Sequence, residues 1–193
     1  MTGSVAGPDG RLRCPWAIGT ADYLAYHDEE WGVPVRGDRA LYERISLEAF
    51  QSGLAWITIL RKRARFRAAF AGFDPAVVAK FDDGDRARLM ADAGIVRNRA
   101  KIDATIANAR AVVELGDGGL TELIWSFAPP TPAPAPRTTA DLRSVTPEST
   151  ALAKALKARG FRFVGPTTAH AAMQACGLVD DHLVDCVSRR GAA

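Results

Sequence analysis

Long apolar runs are missing from this sequence of 193 residues. A helix that spans a membrane needs roughly 20 consecutive apolar residues, so we expect no membrane partner. The first 13 residues, MTGSVAGPDGRLR, also lack the apolar stretch that a secretory signal requires. From these two absences we expect a cytoplasmic protein.

The sequence has few cysteines and a small net charge. The three cysteines are an odd number without the pattern of a disulfide framework, so we expect them to be buried or bound to a metal. The 25 basic and 22 acidic residues leave a net charge of only +3, which is a weak indication of an anionic partner. The hydrophobic fraction of 48% is ample for one packed domain.

Convincing strand alternation is also absent, and helical periodicity dominates from Asp38 onward. Glycine and proline stand at the ends of several periodic runs, as they do at helix termini. The proline-rich stretch 128–136 cannot be helical and is predicted to be an exposed loop. The sequence predicts an all-α protein with a flexible leader (1–13), one domain (14–187) and a flexible tail (188–193). The predicted helices are 38–52, 56–70, 75–80, 84–93, 98–115, 119–127, 147–159, 166–176 and 179–187.

A lone acid, Glu48, interrupts an apolar helix face. Leu41, Ile45 and Glu48 follow an i, i+4, i+7 spacing, so Glu48 lies on the apolar stripe. A buried carboxylate needs a partner or a ligand. Five aromatic residues could surround it, either as a hydrophobic plug over the helices or as a pocket for a flat, electron-poor or cationic ligand. They are Trp16, Tyr23, Tyr26, Trp31 and Trp56.

The two ends of the domain hold candidate metal ligands. His182 and Cys186 are four residues apart, which predicts that they share one helix face. With Cys14 and His27 they could complete a tetrahedral zinc site, which would be closed and structural. The spacing equally allows buried cysteines and satisfied histidines without a metal.

A basic turn occupies ADAGIVRNRAKI, residues 91–102. Arg97, Arg99 and Lys101 crowd the first turn of a predicted helix, where cations are unfavourable unless an anion is bound. A DNA phosphate would satisfy this end, although a solvated basic face is the commoner reason for such a pattern. Bases within 61–67 and 154–162 could extend a phosphate track.

Six strings in this order resemble the bacterial 3-methyladenine DNA glycosylase I family, and the resemblance runs from about Cys14 to Cys186. The strings are YHDEEWGVP, LEAFQSGLAWITIL, KRARFRAAFAGFDP, DAGIVRNRAKI, KALKARGFRFVGPTT and MQACGLVDDH. The leader and the proline-rich loop look peculiar to this chain.

The resemblance implies a helix-hairpin-helix DNA glycosylase fold with a structural Zn²⁺ that joins the N- and C-terminal segments. It implies zinc ligands at Cys14, His27, His182 and Cys186. It implies that Glu48 is the catalytic residue, that Tyr26 and Trp56 line the base pocket, and that Trp16, Tyr23 and Trp31 lie nearby. It also implies DNA contacts by a probing loop, with Leu54 as a wedge, and by the basic hairpin; these residues are Gln51, Gly53, Leu54, Arg97, Arg99 and Lys101.

The activity implied by the resemblance is excision of N3-methyladenine from double-stranded alkylated DNA, with free 3-methyladenine as product. We expect a monofunctional enzyme that acts as a monomer. Two alternatives remain at this point. One is a zinc-clipped module that binds alkylated DNA without catalysis, which turnover would distinguish. The other is a zinc hydrolase with Glu48 as general base, which four metal ligands argue against.

Overall fold

The computed structural model describes residues 2–190, which fold into a mostly helical protein as the sequence predicts. Within these residues the chain forms nine α-helices, two short 3₁₀ turns (Pro15–Gly19 and Ala71–Phe73) and one pair of two-residue strands. The helices are α1 (Ala21–Glu29), α2 (Asp38–Gln51), α3 (Trp56–Ala69), α4 (Pro75–Val78), α5 (Asp83–Ala91), α6 (Arg99–Leu115), α7 (Gly119–Trp125), α8 (Pro147–Ala158) and α9 (Pro166–Ala175).

Helix α2 is the centre of the core. It packs against α3, α6, α7 and α9, and every residue from Ile45 to Phe50 is buried. Phe50 stacks near Phe66 of α3, with 4.7 Å between the ring centroids. Because α2 is enclosed on several sides, any polar group in its last two turns must find a partner inside the protein or in a ligand.

Helix α1 was not predicted, because its segment reads as a loop with many aromatic residues. The hydroxyl of Thr20 accepts a hydrogen bond from the Tyr23 N–H, which caps the helix start. The strands Val5–Ala6 (β1) and Leu12–Arg13 (β2) pair antiparallel. Two residues per strand are too few for alternation to appear in the sequence.

The predicted helix at 179–187 is wrong. This segment forms turns, in which the Cys186 N–H bonds to the Leu183 carbonyl. The Asp180 carboxylate accepts the His182 N–H, so a side chain takes a donor that a helix would use elsewhere. His182 and Cys186 are therefore not brought together by one helix face.

Both chain ends pack on α1. Arg13 is 3% exposed and donates to the carboxylates of Asp9 and Asp28. From the other end of the chain, Ser188 donates to Asp28 at 3.1 Å. Met1 and residues 191–193, which belong to the predicted leader and tail, lie outside the described residues. Throughout the described part of the chain, the helices are too short or too polar to cross a membrane.

Candidate active site

Glu48 lies in the last turns of α2 and is 7% exposed. Among residues 2–190, no group forms a hydrogen bond with its carboxylate. Burial raises the pKa of Glu48 to about 8, and the positive charge of Arg44 opposes that rise. The sequence prediction of an acid on the apolar stripe is confirmed, and the acid has no partner in the described protein.

Two aromatic side chains meet next to this carboxylate. The rings of Tyr26 and Trp56 lie 5.3 Å apart at 47°. Burial raises the pKa of the Tyr26 phenol, and the charge of Glu48 adds to the rise, which reports that the two groups are close. The indole Nε1 of Trp56 is buried and has no hydrogen-bond partner within residues 2–190. The site therefore combines an unpaired acceptor, an unpaired donor and aromatic surface.

The other three predicted aromatics form a second layer around Trp16. The Trp16 ring lies 5.8 Å from Tyr23, 6.4 Å from Tyr26 and 5.1 Å from Trp31. The Tyr23 hydroxyl accepts the N–H of Ile57 at 3.0 Å, which satisfies a donor at the start of α3. This second layer fixes the helix that carries Trp56.

Three buried side chains form a group with metal-ligand chemistry. The ligand atoms of Cys14, His27 and Cys186 all lie within 4.8 Å of one another. Hydrogen bonds from Cys14 and then His27 lower the pKa of Cys186 to about 3, while the contact with Cys186 and burial raise the pKa of Cys14. Burial alone would lower the pKa of His27, but hydrogen bonds to Cys186 and Asp28 raise it. The three groups therefore influence one another's protonation.

His182 lies beside this group, and one of its ring nitrogens has no hydrogen-bond partner among the described residues. Its ring centroid is 4.9 Å from that of His27. Its Nδ1 bonds to Asp180 at 2.8 Å, and its Nε2 is buried without a partner in the described residues. His27 has the same arrangement, with Nδ1 at 2.8 Å from Asp28 and Nε2 facing Cys186. Carboxylates that hold histidine in this way are typical of metal sites. The donor types suit a metal ion, and three of the four predicted ligands lie within ligand distance of one another, whereas His182 lies beside that group.

Gly32 makes this approach of His182 possible. A Cβ atom on Gly32 would lie 2.8 Å from Cε1 of His182, and the residue has a φ of +78°. Any larger side chain there would displace the imidazole and strain the backbone. Trp31, one residue earlier, packs its ring 4.5 Å from the same imidazole.

The loop that follows α2 presents one apolar side chain to solvent. Leu54 is 42% exposed. Its N–H donates to the Gln51 carbonyl at 2.6 Å, and Gly53 between them has a φ of +81°. This tight turn therefore projects a large apolar residue from the end of the helix that carries Glu48.

The basic hairpin joins α5 to α6, and its residues differ in orientation. Arg97 and Arg99 are exposed, and Arg99 lies 3.8 Å from Asp103. Lys101 instead points inward: its Nζ donates to the carbonyls of Phe50 at 2.9 Å and Ser52 at 2.6 Å. The structure does not bring Lys101 to the surface of the two arginines, because the end of α2 takes its ammonium group.

The arginines of α3 that could extend a phosphate track are paired with acids. Each acid lies outside α3, so no pattern within α3 predicts these pairs. They are Arg61 with Asp22, Arg63 with Glu30, Arg65 with Asp92 and Arg67 with Glu43.

Sequence reasoning missed three residues that lie behind Glu48. Arg44 is one helical turn before Glu48, and it donates to Glu30 at 2.8 Å. Arg63 donates to both oxygens of Glu30, at 2.6 and 2.7 Å. The spacing of Arg44 and Glu48, i and i+4, was the available signal.

Comparison with known proteins agrees with this geometry. The family model for methyladenine glycosylases matches residues 16–190, and the chain belongs to that family. It is 48% identical over 177 residues to DNA-3-methyladenine glycosylase 1 of Escherichia coli (strain K12), covering 90% of this chain and 95% of that protein. It is 46% identical over 179 residues to DNA-3-methyladenine glycosylase of Haemophilus influenzae, covering 90% and 96%.

Solved structures show the same likeness. A crystal structure of 3-methyladenine DNA glycosylase I aligns with a TM-score of 0.88 at 45% identity, covering 92% of this chain and all of that one. The Staphylococcus aureus enzyme, solved to explain its recognition of 3-methyladenine, aligns with a TM-score of 0.86 at 36% identity, covering 92% and 97%.

Proposed function

We propose that this chain is a base-excision repair glycosylase that flips N3-methyladenine out of alkylated DNA and removes it by hydrolysis. The observation that carries the proposal is the buried carboxylate of Glu48, which has no hydrogen-bond partner among residues 2–190. Both curated relatives described above carry the name of this activity. An acid occupies this position because the substrate completes its interactions when it binds.

The chemistry suits a pocket without a strong acid catalyst. An adenine methylated at N3 in DNA carries a positive charge. When its bond to the sugar breaks, the electron pair enters the base and neutralises that charge. Water then adds to C1′ of the sugar and releases a proton, which leaves an abasic site. The leaving group is already activated, so the pocket has to bind and orient the base rather than protonate it.

The side chains around Glu48 supply that binding. Glu48, as a carboxylate, accepts hydrogen bonds from the exposed adenine edge and complements the positive charge. Trp56 stacks on the base, and Tyr26 orients it. Trp16, Tyr23 and Trp31 support these two from the second layer.

The DNA-binding part of the proposal is a helix-hairpin-helix grip on double-stranded DNA. Leu54 fills the gap that the flipped nucleotide leaves in the stack, and Gln51 and Gly53 shape its turn. Arg97 and Arg99 contact phosphates at the start of α6. Leu54, Arg97 and Arg99 have exposed side chains, which supports their assignment as DNA contacts. We further propose that the protein acts as a monomer in the cytoplasm.

We also propose a structural zinc ion held by Cys14, His27, His182 and Cys186. The close approach of the ligand atoms of Cys14, His27 and Cys186 and the unpartnered Nε2 of His182 support this set of ligands. Zinc with four protein ligands has no open position for water, so it supplies folding stability and no chemistry. Its role is to join the first and last segments of the domain.

Mass-spectrometric identification of the bases that the purified protein releases from alkylated duplex DNA tests the function. We expect free 3-methyladenine to be the main product, with little 7-methylguanine. A folded protein that binds this DNA and releases no base would contradict the proposal and leave a damage-binding module.

A further inference from the structure

A partly buried chain of charges lies behind the base pocket and joins three elements. Arg63 of α3 holds both oxygens of Glu30, which follows α1. Glu30 in turn accepts a hydrogen bond from Nη2 of Arg44 on α2. The side chains of Arg44, Arg63 and Glu30 are 13%, 17% and 28% exposed. Screening by water is weak at such sites, so these charges act strongly on their neighbours.

Arg44 lies near two carboxylates and forms an ion pair with only one of them. Glu30 holds it through a hydrogen bond of 2.8 Å. Glu48 lies four residues further along α2, on the same helix face, and makes neither a hydrogen bond nor a salt bridge with it. Nη1 of Arg44 is buried and has no partner among the described residues. The guanidinium also lies 6.0 Å from the centroid of the Tyr26 ring, so it borders the same pocket.

We propose that Arg44 is a positioning residue whose charge favours the ionised form of Glu48, and that the ion pair of Arg44 with Glu30 keeps it from pairing with Glu48 directly. The inference deepens the proposed function and rests on it. A direct pair would occupy the oxygens that the base needs, whereas a cation held at a short distance favours the carboxylate and leaves its oxygens open. Arg63 affects the ion pair between Arg44 and Glu30, because it donates to the same carboxylate.

The other groups that face Glu48 are neutral at ordinary pH. Burial raises the pKa of the Tyr26 phenol, and burial raises the pKa of the Cys176 thiol to about 12. Within the described part of the chain, Arg44 is the cation whose charge opposes the effect of burial on Glu48. Loss of Arg44 should therefore favour the protonated acid, and loss of Glu30 should favour the carboxylate.

Direct titration of Glu48 tests the proposal. Protein labelled with ¹³C at the glutamate carboxyl carbons is titrated by NMR, and the Glu48 signal is identified by its absence from the Glu48→Gln variant. In Arg44→Gln we expect the midpoint of Glu48 to rise by about one unit or more. In Glu30→Gln we expect it to fall, because a negative charge is lost and Arg44 is released. Arg44→Lys should keep the midpoint near that of the unmodified protein.

Arg67→Gln is a matched control. Arg67 also joins α3 to α2, through Glu43 at 2.8 Å, but it is 48% exposed. The same loss of one positive charge should leave the titration of Glu48 unchanged. If Arg44→Gln does not fold, the opposite shift in Glu30→Gln and the unchanged midpoint in Arg44→Lys still decide the question.

The excision rate of each variant, followed against pH, separates this proposal from the proposed function. We expect the pH profile to move with the measured midpoint of Glu48. An unmoved midpoint in folded Arg44→Gln, or a rise in Glu30→Gln, overturns the role of Arg44. Midpoints that shift as expected while the excision profile stays fixed support the role of Arg44 and contradict the role of Glu48 in excision.

Discussion

Single residues determine what the pocket can bind. Glu48 could be found from its helical spacing alone, because an acid on an apolar stripe is conspicuous in the sequence. Its charge environment could not be found in this way, because Glu30 and Arg63 come from other elements and are brought to Arg44 only by packing. Sequence patterns along one helix report its faces and not the groups that approach those faces.

The pH dependence of excision follows from the burial of Glu48. Its pKa is raised to about 8, so the free protein holds the protonated acid below that pH and the carboxylate above it. If the carboxylate binds the base, kcat/KM should rise about tenfold per pH unit below this value and then level off. Excision measured on one duplex substrate from about pH 6 to about pH 9 checks this, with Glu48→Gln as a control whose profile should be flat. A profile that falls across this range for the unmodified protein contradicts the assignment.

Trp56 should contribute both a ring face and an N–H group. Trp56→Ala should weaken binding of free 3-methyladenine by about 1–3 kcal/mol, since stacking on the base is lost. Trp56→Phe retains a ring but loses the buried Nε1 donor, so its loss should be smaller. Isothermal titration calorimetry with 3-methyladenine measures both variants. Equal affinity in all three proteins would show that Trp56 belongs to the core rather than to the pocket.

At the level of the helices, Lys101 ties the basic hairpin to the end of α2. Its ammonium group holds two carbonyls at the end of α2, which is the helix that carries Glu48 and leads to Leu54. The sequence predicts the same phosphate contact for Lys101, Arg97 and Arg99, because three basic residues in one helical turn cannot be distinguished by pattern. Only the packing of α6 against α2 turns one of them inward.

Lys101→Met should therefore lower the stability of the protein and its excision rate on duplex DNA. The change leaves the buried carbonyl of Phe50 and the partly exposed carbonyl of Ser52 without this donor, at a cost of about 1–3 kcal/mol in the free energy of unfolding. It should also slow excision from duplex DNA more than from single-stranded DNA, because the loop that Lys101 holds acts on the base stack. Kinetics on both substrates check this, with Lys80→Met, a change of an exposed lysine that follows α4, as the control. An equal loss on both substrates would mean that the loop does not depend on Lys101.

Most helices were predictable because their termini carry local signals. Asn98 accepts a hydrogen bond from the Lys101 N–H at the start of α6, and Gly116 ends that helix with a φ of +74°. The segment 179–187 has helical periodicity but no helix, because its Leu183 N–H donates to the Cys14 sulfur and its Cys186 thiol contacts His27, both far away in the sequence. Local patterns cannot report such distant contacts.

At the scale of the whole molecule, the two chain ends meet on α1. Cys14 and Cys186 lie in one buried cluster with Leu183, and Trp16 packs against it. The candidate metal ligands at the two ends of the domain suggested this meeting in the sequence, and the family resemblance implied it. The supporting contacts of Arg13 and Ser188 with Asp28 appear only in the structure.

Metal removal should loosen the chain ends without stopping catalysis. A chelator that removes bound zinc should lower Tm by about 10 °C or more, because a structural metal contributes to folding directly. At temperatures where the metal-free protein remains folded, excision should persist, because Glu48 acts without the metal. Differential scanning calorimetry and excision assays on samples of known zinc content measure the two effects. Loss of excision in a folded, metal-free protein would favour a zinc hydrolase.

The central claim is that Glu48 is buried without a partner because the damaged base completes its interactions. The most direct measurement compares the Glu48→Gln variant with the unmodified protein in both excision rate and affinity for DNA, on the same duplex with one N3-methyladenine. We predict a large loss of excision with little change in DNA affinity, since the hairpin and Leu54 are untouched. Equal losses in both, or an unchanged excision rate, would contradict the account.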